Sequence, residues 1–359
     1  MAYEIVPYAP GLEPQIIQLQ THLWGGDMAR NTAYLHWKYI DNPFLDEVLI
    51  RVALCDGRAV AMRGLFGALW EVDGSAPRHL LPYADDFVVV PEHRNRGVAS
   101  QVMKAALDAG SQRGFPFAVS LSAGAVTFVS SLAAGWRAAG SYQSAWRAMK
   151  PTRWSERLGA LRRAFAPRGV FERLDRAAGQ RAAQVSLSSE PRPQAMADLV
   201  ARLPWDGRIR HVRDAAYLGW RFRNPLHEYR FLFWEERGLQ GYLVLQRYLS
   251  ERADQSCVSI VDWEAADEGV RAGLLQAALD WGRFARVHVW TINASEPVRA
   301  LLRRHGFAAA DADGVRARSS GLLVRRLVDA RSGEPWTLGR RDLLDIADWD
   351  LRMLYSMAG

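Results

Sequence analysis

The chain repeats itself. Tyr34-Leu35-His36-Trp37-Lys38-Tyr39 returns as Tyr217-Leu218-Gly219-Trp220-Arg221-Phe222, and each copy runs into an Asn-Pro pair, Asn42-Pro43 and Asn224-Pro225, one residue sooner the second time. Lys104-Ala105-Ala106-Leu107-Asp108-Ala109-Gly110 returns as Gln276-Ala277-Ala278-Leu279-Asp280-Trp281-Gly282, and Gly135-Trp136 as Gly306-Phe307. Three matches in one order identify a tandem of two related domains, and 359 residues suit two units better than one. The expected division is a first domain over 1–150, a basic helical connector over 151–183, a second domain over 184–330 and a tail over 331–359.

In the first copy the pattern predicts an edge strand over 1–10, helices over 11–24 and 32–41, and strands over 48–55 and 58–72 joined by an Asp56-Gly57 turn. Pro43 ends the second helix. A long strand over 80–90, a helix over 98–112, a strand over 116–122, a helix over 124–134 and a closing strand over 136–149 follow. Strands and helices alternating in this way predict an α/β domain with a mixed sheet.

The loop His93-Arg94-Asn95-Arg96-Gly97-Val98-Ala99-Ser100 lies between a strand and a helix. Small residues there let the backbone approach a ligand, and N–H groups at a helix start hold phosphate oxygens. Its spacing is neither that of the dinucleotide fingerprint nor that of the Walker loop. Lys plus Arg number 46 against 39 Asp plus Glu, a net +7, and arginines crowd the 151–183 segment. That balance favours anionic partners. Trp154, Leu158, Leu161 and Phe165 fall on one helical face of that segment.

Arg94-x-x-Gly97-x-Ala99, preceded by Val88-Val89-Val90-Pro91, resembles the pyrophosphate loop of the GNAT N-acetyltransferase superfamily. The resemblance covers 1–150 well and 185–328 more loosely. It implies acetyl-CoA, or another acyl-CoA, as co-substrate. Val88 and Val90 would then offer main-chain contacts to the pantetheine arm, with Arg94 adding charge and Asn95, Arg96, Gly97, Val98, Ala99 and Ser100 holding the phosphates. Ser122 to Trp136 resembles the second cofactor motif, with Ser122 where Asn is commoner. In the second copy Ala266-Asp267-Glu268-Gly269-Val270-Arg271 falls over the loop, and its two carboxylates repel a phosphate. The second domain is therefore expected to be a degenerate copy without cofactor.

Acylating an amine requires a proton acceptor. Asp85 and Asp86 sit in the cofactor strand, and strand alternation sets them on opposite faces, one toward the cleft. Asp85 is favoured as base over Asp86, and ammonium binding without base chemistry is the rival role. The tyrosine that the family uses as acid is replaced by Ser131, so either Tyr83 or Tyr142 supplies the proton or the thiolate leaves without a dedicated acid, with the Ser131 hydroxyl able to hydrogen-bond the sulfur. His36, Trp37 and Tyr39 lie where relatives shape the acceptor pocket, His36 being the position that the repeat does not keep. His93 beside the loop is read as a surface contact.

The expectation is an N-acyltransferase moving an acetyl or short acyl group to a small-molecule primary amine by direct attack. The Trp-Lys-Tyr…Asn-Pro segment is similar to acetyltransferases of amino-sugar and polysaccharide pathways. Alternatives are an acyl-carrier-protein donor docked on the basic connector, and a non-catalytic CoA-binding sensor. Tandem GNAT-like transferases that use aminoacyl-tRNA are disfavoured by the intact loop, so nucleic acid is not an expected partner. Cys55 and Cys257 lie in apolar runs, as thiols do in a reducing cytoplasm, and neither metal-ligand spacing nor an apolar membrane span occurs.

Overall fold

A computed structural model describes residues 2–148, 170–178, 184–249, 257–282, 284–309, 321–328 and 335–356. Strands β1 (Glu4–Pro7), β2 (Leu49–Cys55), β3 (Arg58–Val72) and β4 (Ser75–Val89) form an antiparallel meander, to which β5 (Phe117–Ser120) adds in parallel. Helices α1 (Glu13–Trp24) and α2 (Met28–Leu35) precede β2, while α3 (Val98–Gln112) and α4 (Ala125–Ala133) flank β5. Helix α3 buries Val98, Val102, Ala106 and Ala109, one stripe at helical spacing, against the sheet. The Asp56-Gly57 turn takes left-handed φ at both residues, as a tight hairpin requires.

Strands β6 (Arg137–Ser141) and β7 (Ser144–Ala148) stand where one closing strand was expected. They part company. β6 stays at the edge of the first sheet, and β7 crosses to a second sheet built of β8 (Val185–Ser188), β10 (His227–Glu235), β11 (Leu239–Tyr248), β12 (Cys257–Ala265), β13 (Arg286–Trp290) and β14 (Ala308–Ala309). There β7 lies between β13 and β14. In exchange β15 (Gly321–Arg326), from the end of the second copy, inserts between β5 and β6 of the first sheet. β9 (Arg210–His211) also pairs with β3. The two sheets thus trade closing strands, which the contiguous division of the sequence does not anticipate.

Helices α5 (Val170–Ala178), α6 (Pro193–Arg202), α7 (Ala215–Arg221), α8 (Glu268–Trp281) and α9 (Glu296–Arg304) complete the second copy. One core spans both copies and includes Trp37, Trp70, Trp220, Trp349 and Tyr355. The tail is a short hairpin, β16 (Thr337–Leu338) with β17 (Arg341–Asp342), followed by two tight turns that bury Trp349 and Tyr355. Trp154, Leu158, Leu161 and Phe165 of the connector lie outside the described residues. Among the described residues no helix is long and apolar enough to cross a membrane.

Candidate active site

Parallel neighbours β4 and β5 share a single pair, Tyr83 with Val119, and then diverge into a wedge. At its open end Arg94 donates from Nε to the Val89 carbonyl at 3.1 Å. Asn95 and Gly97 are left-handed, at φ 59° and 78°, and turn the chain into α3. No side chain caps that helix. A Cβ built on Gly97 meets nothing nearer than the Gln101 amide at 4.0 Å, so the turn is open to a ligand on that side. The Ser100 hydroxyl donates back to the Gly97 carbonyl at 2.8 Å. These residues fit a diphosphate: an uncapped helix start, a left-handed glycine and two arginines on one turn. The second copy differs at this point. Its Asp267 carboxylate accepts the Val270 N–H at 2.9 Å, so a side chain already holds the helix start.

At the apex of the wedge lies a buried ionic cluster. Lys38, fully buried, donates from Nζ to Asp85 Oδ2 at 2.8 Å and to the Tyr34 hydroxyl at 2.8 Å, and stands 3.1 Å from Asp86 Oδ1. The Tyr39 hydroxyl donates to Asp86 Oδ2 at 2.8 Å. Ser122, just past β5, donates to Asp85 Oδ1 at 2.5 Å and so bridges the two strands where they part. Buried Arg63 adds a second positive charge and lies over the Phe87 ring. Two cations against two carboxylates make a balanced cluster, the condition under which burying charge is tolerable.

Alternation does not send the two aspartates to opposite faces. β4 carries a bulge opposite Arg63, with Met62 facing Val88 and Gly64 facing Asp85, and Asp86 takes φ 49° within it. Both carboxylates therefore meet Lys38. The Asp85 side chain keeps 11% exposure and that of Asp86 none. Burial alone would raise Asp85, but Lys38, Ser122 and Arg63 outweigh it and hold Asp85 below the usual carboxylate range. Burial and the neighbouring Asp85 charge win at Asp86 and push it up.

A π-helical turn, His36–Ile40, follows α2, with the Asp41 N–H bonded to the His36 carbonyl five residues back. It absorbs the extra residue that the first copy carries before Asn42-Pro43. Tyr39 reaches the carboxylates from this turn. His36 instead pairs with Glu13 at 2.6 Å on the surface, its side chain 44% exposed. Trp37 is buried against Trp220. Ser131 is buried within α4. Tyr83 bonds His211 at 2.9 Å, and the Tyr142 hydroxyl donates to the Leu121 carbonyl at 3.0 Å, one residue before Ser122. His93 meets the Tyr3 hydroxyl at 3.0 Å. Val88 is buried and Val90 half-buried beside the loop. Lys38 is the residue missed by sequence reasoning. Its signal was a basic residue kept in both copies, Lys38 and Arg221, inside an aromatic helical run. Among the described residues no group of His, Cys, Asp and Glu is placed to hold a metal.

Residues 16–128 match the acetyltransferase (GNAT) family. No curated protein sequence matches the chain. Solved structures do. A probable N-acyltransferase from Enterococcus faecalis V583 superposes with a TM-score of 0.59 at 10% identity, over 91% of this chain and 73% of that one. A GCN5-related N-acetyltransferase from Anabaena variabilis gives 0.56 at 13% identity, over 91% and 73%. A tandem GNAT protein from the clavulanic acid biosynthesis pathway gives 0.53 at 14% identity, over 92% and 100%. At such identities the likeness is one of fold, and it covers both copies. Residues 16–128 therefore form a GNAT acetyltransferase domain, and the chain is an acyltransferase enzyme built on the tandem GNAT fold.

Proposed function

We propose that this protein moves an acetyl or short acyl group from coenzyme A to a primary amine on a small molecule by direct attack. The supporting observation is the hydrogen bond from Ser122 to Asp85 across the parting strands, with Lys38 directly behind it. It sets a partly exposed carboxylate at the inner end of a wedge whose outer end is the Arg94–Ser100 turn. The coenzyme, held along Val88 to Val90 and at that turn, supplies the thioester carbonyl.

Asp85 stays anionic at neutral pH because its pKa is depressed, so it suits an incoming ammonium as anchor. Asp86, pushed up by burial, is the better resting place for a proton. Lys38 touches both carboxylates. The ammonium gives its proton to Asp85, and Lys38 relays one to Asp86 and recovers one from Asp85. The amine is then neutral, Lys38 is unchanged and Asp86 carries the proton. Tyr142, whose hydroxyl donates to the Leu121 carbonyl one residue before Ser122, is the tyrosine we assign to protonating the departing thiolate.

Calorimetric titration of acetyl-CoA tests the cofactor site. Wild type should bind one equivalent and Gly97→Asp none, because that substitution adds an anion at the turn and strains a left-handed position. Thiol release upon adding amines tests the chemistry. Turnover unchanged in Asp85→Asn would refute the assigned anchor, and binding without turnover across an amine panel would make the protein a sensor.

A further inference from the structure

The second copy also splits its sheet. β12 and β13 pair in parallel from Cys257 with Arg286 to Ile260 with Val289, then separate. The gap has not collapsed: it holds a cavity of about 540 Å3, away from the Lys38 cluster and within the range of small-ligand sites. Its walls come from Val261–Glu264, from Trp290 and the start of α9, and from Arg271 in the first turn of α8. Trp205 and the tail residues Asp350–Met353 close the far side. The tail is fastened there, since Asn293 donates to the Trp349 carbonyl and Ile209 bridges to Trp349.

A second coenzyme does not suit this cavity. Asp267 caps α8 and Glu268 follows it, so anionic side chains stand where a diphosphate would sit. The remaining wall has a distinct polarity. Its carboxylates are already matched: Asp262 and Glu264 by Arg213 and Arg352, Asp206 by Arg208, and Asp350 by Arg352. Unmatched donors remain. Among the described residues Arg271 Nε, Arg352 Nε and the Trp263 indole N–H have no acceptor, whereas no buried side-chain acceptor of the described wall residues is left over. Among the described residues Arg271 has only Glu268 as carboxylate partner, at 3.8 Å; its Nη1 donates to the Trp263 carbonyl at 3.2 Å, and the guanidinium lies over the Trp263 ring at 5.4 Å. These three N–H groups are themselves shielded, but the Arg271 guanidinium lines the cavity with its side chain 17% exposed and no close carboxylate, so the wall presents a cation that calls for a ligand rich in acceptor oxygen. Trp205 and Trp290 offer flat apolar surface to the rest of it.

We infer that this second wedge is a binding site for a small organic carboxylate with a flat or apolar body. The carboxylate is engaged by Arg271 and its neighbours, and the body rests on the tryptophans. The near-balance of charge around the cavity selects a single negative charge over a polyphosphate.

Tryptophan fluorescence and calorimetry on the full chain test this, with benzoate, phenylacetate and indole-3-acetate each set against its neutral amide. At least one acid should bind saturably at one site per chain, and its amide should not. Arg271→Gln should weaken it at least about tenfold, the size of a lost charge-assisted hydrogen bond. Ala294→Trp, which fills the cavity and leaves its charges alone, should abolish binding. Thermal unfolding shows whether each variant keeps its fold, independently of coenzyme binding. Failure of every acid to bind at millimolar concentration would overturn the inference. So would equal binding of acid and amide, unchanged affinity in both folded variants, or competition by acetyl-CoA for this wedge.

Discussion

Trp37 and Trp220 stack with ring centroids 4.8 Å apart and 12° between planes, and each indole N–H donates to the other's backbone carbonyl, at 2.7 and 2.8 Å. They are the same position of the two copies, so the repeat packs on itself about a local twofold. Equivalent substitutions should therefore have equivalent effects. Trp37→Phe and Trp220→Phe each keep an aromatic surface and remove one buried indole-to-carbonyl hydrogen bond, at about 0.5–1.5 kcal/mol. In urea unfolding the two costs should agree to within about 1 kcal/mol. The double variant should cost less than their sum, because contacting residues couple.

Lys38 neutralises two carboxylates that water barely reaches. Lys38→Met removes one side of a buried ion network and should cost about 3–5 kcal/mol at neutral pH. A depressed acid contributes stability above its unfolded pKa and loses it as pH falls through the folded value, and Asp85 is such a group. Without Lys38 that depression goes, and the variant should regain stability relative to wild type as pH is lowered toward 4. Urea unfolding from pH 7 to 4 checks this. A difference that stays flat with pH would show that Lys38 only packs.

Gly64 faces Asp85 across β3 and β4 and admits the Tyr39 ring: a Cβ there would lie 2.1 Å from the Tyr39 hydroxyl. Gly64→Ala should displace Tyr39 from Asp86, cost about 1–3 kcal/mol and lower turnover. Adding Tyr39→Phe should recover part of the stability, since the nearest clashing atom is gone, and none of the turnover. Thermal unfolding and thiol-release kinetics on the single and double variants separate the two effects.

Local pattern made the first copy readable because its elements bury their own stripes. The helix over Val98–Gln112 and the strands over 49–55 and 58–72 follow directly from apolar spacing and turn residues. The phosphate turn was legible for the same reason, since Arg94, Gly97 and Ala99 are neighbours in the chain. The acid cluster was half legible. Asp85 and Asp86 stand out in an apolar strand, but their orientation depends on a bulge opposite Arg63, and their counter-charge comes from a helix 47 residues away. Strand exchange left no local trace either. β7 and β15 have ordinary strand composition, and what decides their sheet is which edge each one reaches.

Buried neutral histidines should govern acid stability. Burial, with Arg286 beside it, lowers His288 to about 4, and His211 and His227 are also depressed by burial with Arg221 near. Below pH 6.5 the unfolded chain binds protons that these folded sites refuse, so stability falls as pH drops. Each site contributes a slope of about 1.4 kcal/mol per pH unit down to its folded pKa. His288 stacks on Trp146 at 3.9 Å, so Phe can take its place. His288→Phe should flatten the stability profile by one proton between pH 6.5 and 4. An unchanged slope would mean that His288 is protonated in the folded protein.

Cutting the chain at the connector should yield two pieces that do not fold alone. A fragment ending near residue 150 lacks β15, which fills the first sheet between β5 and the edge strand β6 and buries Leu322, Leu323 and Val324 completely. It would expose the unpaired edges of both neighbours together with the apolar surface that those side chains cover. A fragment beginning near residue 184 lacks β7, so β13 and β14 lose the strand that joins them. Each piece should show little cooperative unfolding and should aggregate. Mixed during refolding, the two should recover one cooperative transition, because each supplies the strand that the other lacks. Circular dichroism melts of the separate and mixed fragments decide the matter. Two sharp, independent transitions would mean that neither sheet needs the exchanged strand, and that the interlock is only a mode of packing.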